Sequence, residues 1–433
     1  MIRLLLACAP TFFSEVEVEV AEDMPTMVTL RWTTAARADS WVEVGPSTPY
    51  VRVEATSDGR QHEATIWGLR GGETHHFRLG AAGEEGPTFT EDQVFETGPM
   101  PHDLPRMTVD RVDADVLAGT AFLAPVSGQH LGVVLMDRDG ELLWWAMPEP
   151  WDVTYSPAAV HAFLAPDGDG VIFNLFDAHI RDPPETSAFV LYRVGWDGQL
   201  REELSLPGGH HDFYPLADGS IAYLAYDVRD GHVGDKIVER AADGTEREVW
   251  SAWDQWDWYP AGEAEMEAEF GWSHANALDY LPEEDAYVVG FRHLNALVKV
   301  DRASGETLWV LGGDYSDFTL AGGSWFTNQH QVDLTEHGLL VFDNGSTDDG
   351  VSRAVEYRVD EETREVEQIW TYVASPPFYN ALLGDVQRLG DDSLVVWSAR
   401  GRADLVDEEG EVLWRVNTDL GTAFGYLTVV EGF

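Results

Sequence analysis

The chain has one cysteine, Cys8, among 433 residues, and only two lysines, Lys236 and Lys299. A single thiol closes no intrachain disulfide and builds no cysteine-ligated metal centre. Positive charge is scarce throughout: 27 Lys plus Arg stand against 77 Asp plus Glu, for a formal net charge of -50. Such a surface repels nucleic acid and anionic membranes, so neither is an expected partner, and the acidity itself serves solubility or tolerance of salt. An anionic substrate would need a local cationic pocket to overcome this field. No stretch after the first few residues is long and apolar enough to span a bilayer. Helix signals are nearly missing too, with EAEMEAEF at 263–270 as the one short candidate. What is present is core material: 44% of residues are hydrophobic and 12% aromatic, enough for one large core or two smaller ones in a globular protein.

That material is arranged as strands. In MVTLRWTT, Val28, Leu30 and Trp32 share one face; SWVEVG follows as a second strand, and ATIWGLRGGETHHFRLGA holds two more around a Gly-rich turn. Residues 13–98 therefore read as a small β-sandwich, and the succession RWTT, WVEVG, GLRGGETHHFRL, VFETGP resembles a fibronectin type III module. His75 stands where that family usually has its corner tyrosine. PMPHDLPR, residues 99–106, reads as a linker.

From 107 to 433 one pattern recurs six times: DRDGELLWW, GWDGQLREEL, ADGTEREVW, ASGETLWVL, EETREVEQIW and EEGEVLW. Equivalent positions are Gly140, Gly198, Gly244, Gly305, Arg364 and Gly410, spaced 58, 46, 61, 59 and 46 residues apart. That period suits four short strands per unit with loops of varied length, so an all-β fold is expected, with a six-bladed β-propeller after the sandwich. A second sandwich or a β-helix fits the length or the regularity less well. A propeller brings residues distant in sequence to the mouth of one channel, so function is sought among polar residues at the starts of inner strands.

Four stretches meet that description: GGHHDFYPL at 208–216, GWSHANALDY at 271–280, YVVGFRHLNALVKVD at 287–301, and FTNQHQVDLTEHGLLVFDNG at 326–345. Their recurrence in successive repeats argues that His211, His274, Arg292 and His330 converge, although a single strand histidine is more often just a hydrogen-bonded structural residue. His210 adjoins His211, and the sequence does not decide which faces inward. Strand alternation sends His293 away from the side that Arg292 faces.

Together with SRAVEY and GDVQRLG, these stretches make the chain resemble the arylsulfate sulfotransferases, bacterial enzymes that work without the PAPS cofactor. The resemblance covers most of the last 330 residues or so and implies a six-bladed propeller that moves a sulfuryl group from an aryl sulfate ester to a phenolic acceptor through a sulfated histidine. It implies His330 as nucleophile, with His211, His274 and Arg292 holding the sulfuryl oxygens. His210, Asn276, Trp272, Trp325, Phe326 and Tyr379 are expected on the substrate side, where the aromatic rings would stack on an aryl group; the same rings equally suit blade core. Neither cofactor nor metal is expected. Periplasmic members of the family carry a disulfide that this chain cannot form. The opening MIRLLLAC resembles the end of a bacterial lipoprotein signal, so residues 1–12 read as a signal region and the protein as exported, periplasmic or at the cell surface, with a lipid on Cys8 as membrane anchor.

The residue types suit the reaction. A neutral imidazole is a competent nucleophile near neutral pH, and the charge on a sulfuryl group in flight is stabilised by guanidinium and N–H donors. A second histidine is placed to protonate the departing phenolate. Three other classes compete. Three histidines also suit zinc or copper, although Arg292 beside them opposes a cation. A non-catalytic propeller would bind a partner through its rim. A quinone-dependent dehydrogenase generally has more blades, and no cofactor motif supports it here.

Overall fold

The computed structural model describes residues 2–3, 12–45, 51–111, 116–148, 157–180, 182–257, 270–346 and 350–431. Cys8 and the helix candidate at 263–270, Phe270 excepted, lie outside the described residues. The protein is all-β. Among the described residues its complete helices are a single turn, Ala252–Gln255, and two 3-10 turns, and none is long and apolar enough to cross a membrane.

The described strands between residues 2 and 96 form two sheets over one core. One orders its strands as Ile2–Arg3, Phe13–Val20, Val28–Thr34, Gln61–Ile66 and Thr56–Ser57; the other as Gln93–Glu96, Thr74–Ala81, Ser40–Gly45 and Val51–Glu54. Alternation drives this: Val28, Leu30 and Trp32 point inward against Val42, Val44, Phe77 and Leu79, and the Trp32 indole N–H donates to Ser40 Oγ at 2.9 Å. His75 is buried, and its Nε2–H donates to the carbonyl of Arg70, five residues upstream, at 3.2 Å. A backbone tie of this kind is what a corner tyrosine makes with its hydroxyl.

The remaining strands form six sheets in sequence order, a β-propeller-like arrangement, antiparallel except where Thr319–Gly322 pairs in parallel with the outer strand Glu365–Tyr372 of the fifth. Their first strands are Thr120–Gly128, Pro157–Leu164, Gly209–Pro215, Ala275–Leu281, Val332–Thr335 and Asp385–Leu389. The second strands are continuously buried rather than alternating. In Gly170–Asp177, Ala286–Phe291 and Gly338–Asp343 nearly every residue is inside, because each sheet packs on both faces. Six apolar clusters lie between successive sheets, and one of them joins the sixth sheet to the first through Phe122, Val134, Leu394 and Trp414. Both ends of the repeat region join there: Met107–Arg111 adds an outer strand to the sixth sheet, and Thr422–Phe424 and Thr428–Glu431 pair with the first.

All six repeat-turn positions have positive φ, from 57° at Arg364 to 86° at Gly244. Each precedes the fourth strand of its sheet, or the third of the first sheet, where a left-handed residue closes the hairpin. The expected linker at 99–106 is irregular but tied down: Leu104 is buried in the cluster shared by the sixth and first sheets. The N-terminal unit packs on the first two sheets, with Trp67 stacked on Trp196 at 4.0 Å and Arg70 paired with Asp137 and Asp139.

Candidate active site

The segment NQHQ arrives from Thr319–Gly322 and runs beside the end of Gly338–Asp343. His330 N–H donates to Phe342 O at 3.1 Å, Phe342 N–H to Gln331 O at 2.9 Å, and Gly345 N–H to Thr327 O at 3.1 Å. The flanking side chains bolt it in place. Asn328, at φ 51°, donates from Nδ2 to Gly345 O, and Gln329 Nε2 donates to Phe291 O and Ala296 O, the two ends of the turn that carries Arg292. Asn276 donates from Nδ2 to Gln329 O at 2.7 Å.

His330 is then fixed in one tautomer. Asn344 presents one end of its amide to the carbonyls of Asn380 and Leu383, both at 2.8 Å, so that end is the NH2 group. Its Oδ1 therefore faces His330 Nδ1 at 2.7 Å, and Nδ1 must donate. The lone pair is left on Nε2, which accepts the Leu383 N–H at 3.1 Å. Burial pushes the His330 pKa down to about 3; the nearby Arg292 charge adds to this, and the Asn344 hydrogen bond opposes it. At neutral pH the ring is uncharged.

His211 and His274 face each other, Nε2 to Nε2 at 3.3 Å. Burial holds both well below the ordinary histidine value, with further lowering from His210 for His211 and from His293 for His274; Arg292 and His330 depress both. The four residues thus form one electrostatically coupled cluster drawn from the third, fourth and fifth sheets. His211 and His274 sit in left-handed backbone, φ 50° and 48°, next to register shifts in their strands. A bulge at the end of an inner strand re-aims a side chain, and a non-glycine residue in this region costs about 1–2 kcal/mol, a strain characteristic of functional sites.

Arg292 is 9% exposed, and among the described residues its guanidinium has neither an ion-pair nor a hydrogen-bond partner. Burial lowers its pKa and only Tyr379 opposes this, which places the Tyr379 ring near the guanidinium. A buried, unpaired guanidinium among uncharged imidazoles is a receptor for an oxyanion.

Several expected residues are placed differently. Residues 292–295 form a turn rather than strand, so alternation does not apply and His293 Nε2 lies 3.1 Å from His274 Nδ1. His210 is 1% exposed, stacked on Tyr226 and set behind His211 with its Nδ1 3.0 Å from His211 Nδ1; of the pair, His211 contacts His274. Trp272 and Phe326 are fully buried in the clusters between the third and fourth and the fourth and fifth sheets, so their rings offer no face to a substrate. Burying their area outweighed any stacking role. Trp325 is half-buried against Phe326 and Tyr357. Asn276 is fully buried and holds the His330 segment from behind. Phe270, stacked on His274 at 5.0 Å, and Phe176, tilted on His211 at 4.9 Å, are aromatic neighbours that no sequence pattern marks. Among the described residues no grouping of three or more His, Cys, Asp or Glu is arranged to hold a metal ion.

Comparison with known proteins bears on what this cluster is for. No curated protein matches the chain. Among solved structures, a protein from Bacteroides uniformis provisionally described as a 6-phosphogluconolactonase is 10% identical, covering 90% of this chain and 100% of that one at a TM-score of 0.40. A protein from Lactobacillus plantarum is 11% identical over 91% and 100%, with a TM-score of 0.36. Likeness this remote carries no functional argument. The profile described as Arylsulfotransferase (ASST) matches residues 118–418, which span all four cluster residues and most of the six sheets. The chain belongs to the arylsulfotransferase family, and membership supports a transferase acting on small aryl substrates.

Proposed function

We propose that the chain transfers a sulfuryl group from an aryl sulfate ester to a phenolic acceptor by way of a sulfated His330, without PAPS. The observation that carries this is the unpaired, buried Arg292 beside three uncharged imidazoles, one of which has its proton pinned to Nδ1 by Asn344. His330 Nε2 attacks sulfur while the Asn344 carbonyl stabilises the imidazolium that forms, and Leu383 N–H is released to a sulfuryl oxygen as the N–S bond closes. Arg292 receives the remaining sulfuryl oxygens, His211 Nε2 faces the ester oxygen, and His274 Nε2 holds His211 in place until the donor arrives. The departing phenol makes way for the acceptor, which collects the group, so the kinetics are ping-pong. Tyr379 and Phe270 line the aryl side.

The same reading takes the six sheets as the blades of one six-bladed propeller, an assignment supported by the six shared apolar clusters. It takes residues 13–98 as a fibronectin type III-like module, supported by the strand order and by His75 acting as the corner residue. Export through a lipidated Cys8 belongs to this proposal and is read from the mass of the mature N-terminus. The test of function is mass spectrometry after incubation with an aryl sulfate and no acceptor. One sulfuryl group on the peptide containing His330, absent in His330→Ala, is expected. Equal transfer by His330→Ala moves the role to His211 or His274.

A further inference from the structure

Behind the cluster lies a chain of four imidazoles. From one end, the Gly271 carbonyl meets His293 Nδ1 at 2.9 Å; His293 Nε2 meets His274 Nδ1 at 3.1 Å; His274 Nε2 meets His211 Nε2 at 3.3 Å; His211 Nδ1 meets His210 Nδ1 at 3.0 Å. At the other end His210 Nε2 lies 3.1 Å from Asp235 Oδ1. A carbonyl only accepts, so His293 must donate from Nδ1, and that choice propagates. His274 donates from Nδ1, His211 from Nε2, and His210 from Nδ1. Four neutral rings have now used their four N–H protons, and His210 Nε2 is left as a lone pair 3.1 Å from a carboxylate oxygen. Neither His210 Nε2 nor Asp235 Oδ1 has a hydrogen-bond partner among the described residues, and both residues are 1% exposed. Two buried acceptors 3.1 Å apart repel unless one of them carries a proton.

We infer that His210 and Asp235 hold one proton beyond the four of the neutral rings, and that the histidine chain delivers it to the reacting oxygen at His211. His293 and Asp235, which the sequence pattern leaves unassigned, are thereby positioning residues: one sets the polarity of the chain, the other supplies its charge. The inference rests on the sulfuryl-transfer reading. On arrival of the donor, the 3.3 Å contact between His211 and His274, the longest in the chain, opens. His211 then donates from Nε2 to the ester oxygen, takes the Nδ1–H role toward His210, and His210 donates from Nε2 to Asp235. His274 keeps its Nδ1–H toward His293 and presents a lone pair.

The step balances. An aryl sulfate monoanion, neutral His330 and one chain proton give a neutral phenol and a His330 ring whose positive charge offsets its sulfonate. The S–O bond breaks and the N–S bond forms, with the oxygen pair capturing the proton. In the second half-reaction the acceptor phenol returns a proton to His211, so the charge state is restored without solvent. Groups facing the chain are Arg292 and His330 at its middle, Tyr226 and Asp177 near the His210 end, and His179 across the Phe270 ring. Arg292 opposes the extra proton at His211, which favours its resting place at the Asp235 end.

Asp235→Asn is the discriminating variant. Its carbonyl oxygen keeps the bonds now made by Oδ2 to Ser273 Oγ–H and Ala275 N–H, while its NH2 donates to His210 Nε2, so the contacts survive and the mobile proton is gone. Nitrogen-15 NMR of histidine-labelled protein without substrate, near neutral pH, should show one proton more than four on the ring nitrogens of this chain in the wild type and four in Asp235→Asn. In single-turnover phenol release, the variant should lose about 100-fold with phenyl sulfate, whose leaving group needs a proton, and less than about tenfold with 4-nitrophenyl sulfate. His293→Gln should show the same leaving-group selectivity. Four neutral rings in the wild type, or equal losses with both donors, overturn the inference. If the wild type forms no sulfated histidine at all, the sulfuryl-transfer reading fails, and the NMR proton count alone decides whether the chain carries its extra proton.

Discussion

Asn344→Asp tests how the proposed nucleophile is kept uncharged and aimed. Asn344 Oδ1 accepts the His330 Nδ1–H at 2.7 Å, and burial holds that ring down at about 3. A carboxylate at the same point adds a full negative charge beside Nδ1. At an effective dielectric of about 20, opposite charges 4 Å apart attract by about 4 kcal/mol, and 1.36 kcal/mol corresponds to one pKa unit. The His330 pKa should therefore rise by about three units, to near 6. Only the neutral ring attacks, so the variant should lose phenol release about tenfold for each pH unit below about 6, whereas the wild type should show no such loss down to about pH 4.5. A second effect runs alongside. The Asn344 NH2 donates to Asn380 O and Leu383 O, and losing it leaves two buried carbonyls against a carboxylate, at about 1–3 kcal/mol each. The assay is single-turnover phenol release from an aryl sulfate without acceptor, normalised at each pH to the folded fraction by circular dichroism. An acid limb in the variant that overlays the wild-type profile would refute the reasoning.

Arg292→Lys should lower transfer by about 100–1000-fold although the charge is kept, because a forked guanidinium matches two sulfuryl oxygens and an ammonium does not; near-normal turnover would end the bidentate role. His330→Gln should flatten the pH dependence of stability. A base whose folded pKa is depressed to about 3 stabilises the fold fully above its unfolded value of about 6.5 and loses that contribution as pH falls, so between these values the variant should lose about 1.4 kcal/mol less per pH unit in urea titrations. Gly410→Ala, at φ 82° with only Tyr372 Cδ2 nearby at 3.5 Å, should cost about 1–2 kcal/mol through backbone strain alone; an unchanged melting temperature would show that the turn relaxes. Trp67→Ala removes the stack on Trp196, worth about 1 kcal/mol, and should speed proteolysis within residues 96–106 roughly fivefold. An unaltered cleavage rate there would mean that the N-terminal unit is held by other contacts.

The repeat was legible because its turn demands a backbone conformation that few residues accept. Five glycines mark it in the sequence, and Arg364, marked instead by the strand EVEQIW that follows it, adopts φ 57° like the others. The four residues of the cluster were legible because they recur at strand ends in successive repeats. Their partners were not. Asn344 reads as the middle of a DNG turn, and nothing local says that its amide spans from His330 to two carbonyls of the next sheet. A period-two rule directs His293 away from the site, and it fails where the chain turns at 292–295. Trp272 and Phe326 share the composition of a stacking platform, but composition does not separate a rim ring from one sealed between two sheets. What sequence periodicity conveys is which strand a residue belongs to; what it omits is the contact between strands some 50 residues apart.

The charge of the whole molecule explains why the site is built inward. A donor anion approaches a chain with 50 net negative charges, and at physiological salt that field decays over about 8 Å. Steering from a distance therefore works against the substrate, and attraction must come from groups it reaches only on entry. Arg292 is such a group, because among the described residues no carboxylate neutralises it. Pairing it would have removed the attraction, and exposing it would have let water and salt screen it. The uncharged state of His211, His274 and His330 follows from the same burial, since each is depressed first by desolvation and then by neighbouring positive charge. One placement thus yields both halves of the chemistry: a guanidinium unscreened enough to hold an oxyanion, and an imidazole kept neutral enough to attack it.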